Sequence, residues 1–314
     1  MEEGVVCGFL DELHEDDRVN PLMNRCGGVA CWLSDKVGNK NKCPYCNKEM
    51  LFMVQVYAPL EFEYAYHRVV YLFHCPFCLK FVVLRNQIGM GTLYDDEDYC
   101  ESIVKGNMCE ICGFPSTTKC DKCDTYYCGV VHKLYDFDTH KLLCGRPHHH
   151  VRGKLNGRGG AIKRQKASEY LIETEEESEL KEPEDKEVQR MINTSKEMEK
   201  ESGTKESDIP QEATDPVLLK FYEKIGKAPS QVLRYKFGGK PVWIKTDTQL
   251  TIPKCKRCGK ECVFEWQLLP QFIYATNLDI ELNIEFGTIA IYVCPDSCGG
   301  DDYVYENVIV QYFI

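Results

Sequence analysis

The chain has 314 residues, of which 43% are hydrophobic, 11% aromatic and 28% charged, enough apolar material for a folded core and a length that corresponds to about two domains. No window approaches the ~20 apolar residues of a membrane-spanning helix, and Met1-Glu2-Glu3 starts acidic rather than as a secretory signal, so neither membrane insertion nor secretion is expected. The formal charge is −11, and nineteen cysteines stand in a chain without signs of export; in a reducing compartment such cysteines hold metal more often than they form disulfides.

Residues 1–100 read as an apolar, β-rich module. Leu51–Tyr57, Val69–His74 and Lys80–Arg85 are rich in β-branched and aromatic residues and bounded by turn formers, which predicts strands. Residues 101–145 are dense in Cys and His. Residues 146–214 turn polar, with seven Lys/Arg and no acid between Gly145 and Ser168, then fourteen acids against six bases between Glu173 and Asp208. This stretch cannot bury enough surface to offset chain entropy and is expected to be a disordered charged linker. A helix within Glu175–Lys200 is the alternative, although Leu180, Val188, Met191 and Ile192 make only a thin apolar stripe.

Residues 215–314 open with a helix. Asp215 suits the N-cap, Pro216 the first helical position and Gly226 the C′ position. Val217, Leu218, Phe221, Tyr222 and Ile225 between them share one face. Strands are predicted over Val263–Leu268, Thr288–Val293 and Tyr303–Tyr312.

The two β-rich regions carry the same landmarks in the same order. Gly27-Gly28 precedes Trp32 as Gly238-Gly239 precedes Trp243. A Cys-x-x-Cys pair follows each tryptophan, Cys43/Cys46 or Cys255/Cys258. Nine residues beyond stands Gln55 or Gln267, and an apolar strand then leads to Cys75/Cys78 or Cys294/Cys298. This is read as a single duplication. The expected fold is α+β and β-rich: duplicated zinc-ribbon-like β-modules packed together, with a zinc finger inserted between them.

Zinc takes four thiolate or imidazole ligands in a tetrahedron, and a tight Cys-x-x-Cys turn supplies two that converge on one ion. The first module offers Cys43, Cys46, Cys75 and Cys78, and the second Cys255, Cys258, Cys294 and Cys298, the last pair one residue looser. Eight more ligands are spaced through the middle: Cys109, Cys112, Cys120, Cys123, Cys128, His132, His140 and Cys144. Four structural Zn2+ are therefore expected. Every site has four protein ligands and no open position for water, and no phosphate-binding, nucleophile-elbow or metalloprotease motif is present, so an enzyme is not expected.

Cys7, Cys26, Cys31, Cys100 and Cys262 are left over and are read as small buried hydrophobes. His67 and His74 flank an apolar strand and are read as core or edge residues. His148, His149 and His150 read as a solvated triplet. Outside the basic stretch 145–168 and the acidic stretch 173–208 the charge is −10, and fourteen thiolates on four Zn2+ would add a further −6. Such a surface repels phosphate backbones and attracts a basic protein. Nucleic acid is therefore not an expected partner.

Together these residues resemble the programmed cell death protein 2 family, in its branch carrying a MYND-type zinc finger. The resemblance rests on Gly8-Phe9, the segment from Gly27 to Trp32, Gln55 to Leu60, His67-Arg68 and Arg85-Asn86-Gln87 in the first module. It continues through the Cys/His run and through Ser230–Tyr235, Gly238–Trp243, Phe264–Gln271 and Gly287–Cys294 in the second. Trp266 stands where the family usually has Phe, and Glu285-Phe286 where it usually has Asp-Trp. The MYND pattern implies one site from Cys109, Cys112, Cys128 and His132, and another from Cys120, Cys123, His140 and Cys144.

The family implies a non-enzymatic role in making the small (40S) ribosomal subunit: a monomeric, cytoplasmic chaperone, also nuclear, that binds newly made ribosomal protein S-two and helps deliver it. The alternative is a nuclear adaptor whose finger binds proline-rich partners through Phe114, Tyr126, Tyr127 or Leu134. The candidate client contacts are Tyr57, Pro59, Leu60, Trp266, Leu269, Pro270 and Gln271, with packing between the halves as the competing reading.

Overall fold

The computed structural model describes residues 4–14, 20–38, 40–92, 107–116, 118–144, 169–180, 216–246, 250–276 and 284–313. β-branched and aromatic runs broken by tight turns give two antiparallel meanders. The first joins β3 (Leu51–Tyr57), β4 (His67–His74) and β5 (Phe81–Ile88); the second joins β10 (Val263–Leu268), β11 (Thr288–Val293) and β12 (Val304–Gln311). Three of these strands have the bounds the sequence predicts. β4 starts two residues earlier, β5 runs three residues further, and β12 is one residue shorter at each end.

Six strands lie outside the sequence expectation: β6 (Thr118–Lys119) and β7 (Tyr126–Tyr127), which pair with each other, and four of a larger sheet, β1 (Val6–Glu12), β2 (Arg25–Cys26), β8 (Tyr170–Glu176) and β9 (Leu233–Tyr235). With those four the meanders close into a ten-stranded antiparallel barrel of order β1-β8-β2-β3-β4-β5-β12-β11-β10-β9. The meanders meet where Arg85 pairs with Val304 and Val83 with Glu306. The second seam pairs Val6 with Tyr235 and Gly8 with Leu233. Gly8 is needed there because a Cβ would stand 2.7 Å from Ile172 Cγ2 and 3.1 Å from Leu233 Cβ.

β8 corrects the expectation of a linker running unbroken from 146 to 214. It pairs with β1 along its whole length and with β2 at Arg25 and Cys26. Ile172 points into the core, and Glu177 forms a buried ion pair with Arg234 of β9. Residues 146–168 and 181–214 of the expected linker, with His148–His150 and most of the alternative helix, lie outside the described residues.

Alternation along each strand sorts its side chains onto two faces. Val54, Val56, Val70, Leu72, Phe81, Val83, Trp266, Leu268, Ile289, Ile291 and Val293 share one core cluster spanning both meanders. The opposite face of β3–β5 buries Phe52, Val69, Tyr71, Phe73, Val82 and Leu84 against Trp32, Leu33, Phe114 and Tyr127. The finger thus shares a core with the N-terminal strands. At about 1.5–3 kcal/mol for each fully buried large side chain, this cluster fixes its position.

Helix Pro216–Gly226 packs Leu218, Phe221 and Ile225 on Val242, Ile244 and Leu269. Gly226 is its last residue rather than the one beyond. Tyr222 is exposed, so the docking face is narrower than predicted; Asp215 lies outside the described residues. Among these residues no helix is long and apolar enough to cross a membrane.

Candidate metal centres

The knuckles are built by a repeated backbone turn. In the pairs beginning at Cys43, Cys75, Cys109 and Cys255, the N–H four residues on donates to the cysteine carbonyl at 2.8–2.9 Å. That fourth residue, Asn47, Leu79, Gly113 or Gly259, has a positive φ of 58–76°. The turn points both sulfurs of a pair the same way. Leu79 adopts this left-handed conformation although leucine rarely does.

Each knuckle then faces a second one. Cys43 and Cys46 lie opposite Cys78 and Cys75, with sulfurs 3.6 and 3.4 Å apart. Cys255 and Cys258 lie opposite Cys298 and Cys294 at 3.4 and 3.6 Å. In the finger, Cys109 and Cys112 meet Cys128 and His132, with His132 Nδ1 3.5 Å from Cys109 and 3.3 Å from Cys128. Cys120 and Cys123 meet Cys144 and His140, which presents Nε2 at 3.1 Å from Cys120 and 3.5 Å from Cys123.

All sixteen sequence-predicted ligands thus fall into four groups of four, the ligand atoms of each group within 4.8 Å of one another. A tetrahedron of metal–sulfur bonds about 2.3 Å long has edges of about 3.8 Å, so the groups match the size of such a site. They can hold metal ions. No disulfide competes for these sulfurs among the described residues.

The ligand thiols are electrostatically mixed: burial pushes Cys75 up to about 12, whereas Cys46, Cys109 and Cys255 are lowered by hydrogen bonds from their neighbours. Burial alone would raise the Cys255 thiol, but backbone N–H groups of Cys258 and Arg257 and the sulfurs of Cys298 and Cys258 bring it down to about 7. Burial pushes Cys26 and Cys262 up to about 12 and raises Cys7 as well. Such buried thiols are unreactive at neutral pH. Cys31 is also buried, with its sulfur 3.0 Å from the Arg25 guanidinium, and Cys100 lies outside the described residues. His74 is buried and held down to about 4, while His67 is buried and hydrogen-bonds Tyr57 at 3.0 Å.

Comparison with known proteins decides the family. Residues 4–99 match the family model for programmed cell death protein 2, N-terminal domain, and residues 215–312 match that for its C-terminal domain. Programmed cell death protein 2 of Rattus norvegicus is 30% identical over 98% of this chain and 96% of its own length. The chain belongs to the programmed cell death protein 2 family. The Bos taurus protein of that name is 30% identical over 94% of this chain and 92% of its own length. Programmed cell death protein 2-like of Mus musculus is 25% identical over 86% of this chain and 87% of its own length. No solved structure matches.

The family-like polar motifs line the junction of the two meanders. Arg68 is fully buried and pairs with Glu265 through both guanidinium nitrogens, and it also donates to the Ala58 carbonyl. Arg85 pairs with Glu306 at 2.7 Å and donates to the Cys298 carbonyl at 2.6 Å. Sequence reasoning recognised these arginines only as part of the resemblance. Their signal was an arginine in phase with inward-facing residues of an apolar strand.

The candidate client contacts divide. Trp266, Leu269 and Pro270 are buried, which corrects their assignment as surface contacts. The segment they lie on turns inward, since Trp266 and Phe272 join the barrel core. Gln271 is half-buried, as are Leu60 and Tyr57, while Pro59 is exposed. Of the candidate groove residues, Phe114 and Tyr127 are core, Tyr126 is half-buried and Leu134 is exposed.

Proposed function

We propose that zinc ions fill the four sites and that the protein is a non-enzymatic chaperone for a basic ribosomal protein, S-two of the small subunit. The ions staple two zinc-ribbon-like halves, related by duplication, and a MYND-type finger. The observation that carries this reading is charge: the sequence outside 146–214 sums to −8 before any thiolate is counted, on a scaffold closed by long-range strand pairing. A rigid acidic surface attracts and masks a basic protein without a large ordering cost, and rRNA, with its denser negative charge, takes the client away. The identity of the client rests on the family resemblance, and the cytoplasm and nucleus follow from it as places of action.

Affinity capture with the tagged full-length chain tests this. Ribosomal protein S-two should be recovered, with ribosomes still translating it, and the yield should fall as salt is raised. Its absence from the capture would overturn the client assignment.

The finger supports a second reading. Val130, Leu134 and Phe137 are 66%, 68% and 55% exposed on its two helices, Val130–Tyr135 and Phe137–Leu143. These residues favour an apolar peptide, the proline-rich partner class of a nuclear adaptor. Leu134→Asp should abolish peptide binding under this reading and leave client capture intact under the first.

A further inference from the structure

The last knuckle, Cys294-x-x-x-Cys298, has one residue more than the others, and that residue does something none of the other turns does. In the four regular knuckles the residue of positive φ follows the second cysteine. Here one also precedes it, besides Gly299 beyond it at φ 132°: Ser297, at φ 46°, donates its N–H to the Cys294 carbonyl at 2.9 Å. Ser297 is fully buried, and its partners belong to the other half of the molecule. Its hydroxyl accepts from Arg68 Nε at 2.9 Å and donates to Gln87 Oε1 at 2.6 Å. Its carbonyl accepts from Gln87 Nε2 at 2.8 Å and from Arg85 at 3.4 Å. Arg85 also holds the neighbouring Cys298 carbonyl, and its ion-pair partner Glu306 accepts the Cys294 N–H at 3.3 Å.

The backbone on both sides of the last ligand pair is therefore positioned by β5 of the N-terminal half, directly and through Glu306. We propose that Ser297 is a docking residue through which the Cys255/Cys258/Cys294/Cys298 metal site and the β5–β12 seam are coupled: the loaded knuckle presents Ser297 to Arg68, Arg85 and Gln87, and loss of the metal releases the seam. The inference rests on the reading of the four groups as metal sites. It adds that this one senses the union of the two halves.

The test uses the full-length zinc-loaded chain, with zinc counted by native mass spectrometry and amide hydrogen exchange followed strand by strand. Deleting Ser297 restores Cys-x-x-Cys spacing and keeps all four ligands. Four zinc ions should still bind, exchange at Val83–Arg85 and Val304–Glu306 should quicken at least tenfold, and one ion of the four should pass to a chelator at least tenfold faster. Cys258→Ser, which removes an exposed ligand of the same site, should quicken the same amides without affecting Val54–Val56 and Val70–Leu72.

If the deletion does not fold, Ser297→Ala carries the test, with severalfold faster exchange confined to the seam. Unchanged seam exchange in Cys258→Ser, or in the folded Ser297 variant, would overturn the proposal while leaving the metal sites standing. A wild-type chain holding no zinc would sink both.

Discussion

The two cysteine-clasped halves use the same parts for different surroundings. In each, an isolated bridge closes the first knuckle, Lys42 to Glu49 or Lys254 to Glu261. A bulge follows in the first long strand, between Phe52 and Val54 or between Phe264 and Trp266. A buried glutamine then accepts the N–H of the residue before the landmark tryptophan: Gln55 from Cys31 at 2.9 Å, and Gln267 from Val242 at 2.6 Å. The halves diverge at the bulge residue. Met53 is apolar and joins the barrel core, whereas Glu265 is charged, fully buried and committed to Arg68 of the other half. They diverge again at the tryptophans, since Trp32 is sealed under the finger by Phe73, Phe114 and Tyr303 while Trp243 is only partly buried. A shared scaffold thus leaves the N-terminal half to hold the finger and the C-terminal half to hold its twin.

Making the bulges alike is the sharpest way to break this difference. Glu265→Met copies the N-terminal half but strands the Arg68 guanidinium, and urea unfolding should show a loss of about 3–5 kcal/mol. Adding Arg68→Met should recover most of it, because removing both charges leaves no unpaired ion. A double variant no more stable than Glu265→Met would mean that the pair is not what distinguishes the halves.

The tryptophans give a smaller contrast. Trp32→Ala should cost about 3–5 kcal/mol and loosen the finger, read as faster chelation of the zinc ions proposed there. Trp243→Ala should cost roughly half as much and leave the finger's ions untouched, because less surface is involved.

The smallest effect concerns the stave contributed by the middle region. Burial raises the Glu177 carboxyl, but the hydrogen bond and charge of Arg234 outweigh it and hold it below its ordinary value of 4.5. A carboxyl depressed on folding stabilises the fold above its unfolded value and stops doing so as pH falls through its folded one. Glu177→Gln should therefore cost about 1–3 kcal/mol at pH 7. The gap from the parent should narrow below pH 4.5, measured as paired urea midpoints across pH.

The cysteine spacing and the landmark repeat made the ligand groups and the two meanders legible, because both are short-range patterns with a fixed geometric cause. β8 was not legible. Tyr170-Leu171-Ile172-Glu173-Thr174-Glu175-Glu176 buries only Ile172 completely, and its acids face outward. Its composition therefore reads as solvated chain, while its hydrogen bonds come from β1 and β2, far off in sequence. The fates of the strand exits were equally hidden: Leu60 and Leu269 each stand beside a proline just past a long strand, but one lies half-buried and the other under helix Pro216–Gly226. Buried Arg25, Arg68, Arg85 and Arg234 ran against the usual outward preference of charge, and only their tertiary partners account for them.

The seam at Gly8 sets an order of events in synthesis. The first strand to leave the ribosome finds its barrel partners only in β8 and β9, and Cys7 lies 224 positions before the Gln231 it touches. Pairings so remote are slow to form. For most of translation the leading segment waits unzipped, so a protein whose proposed task is to shelter a nascent chain is itself, until its final third emerges, one in want of shelter.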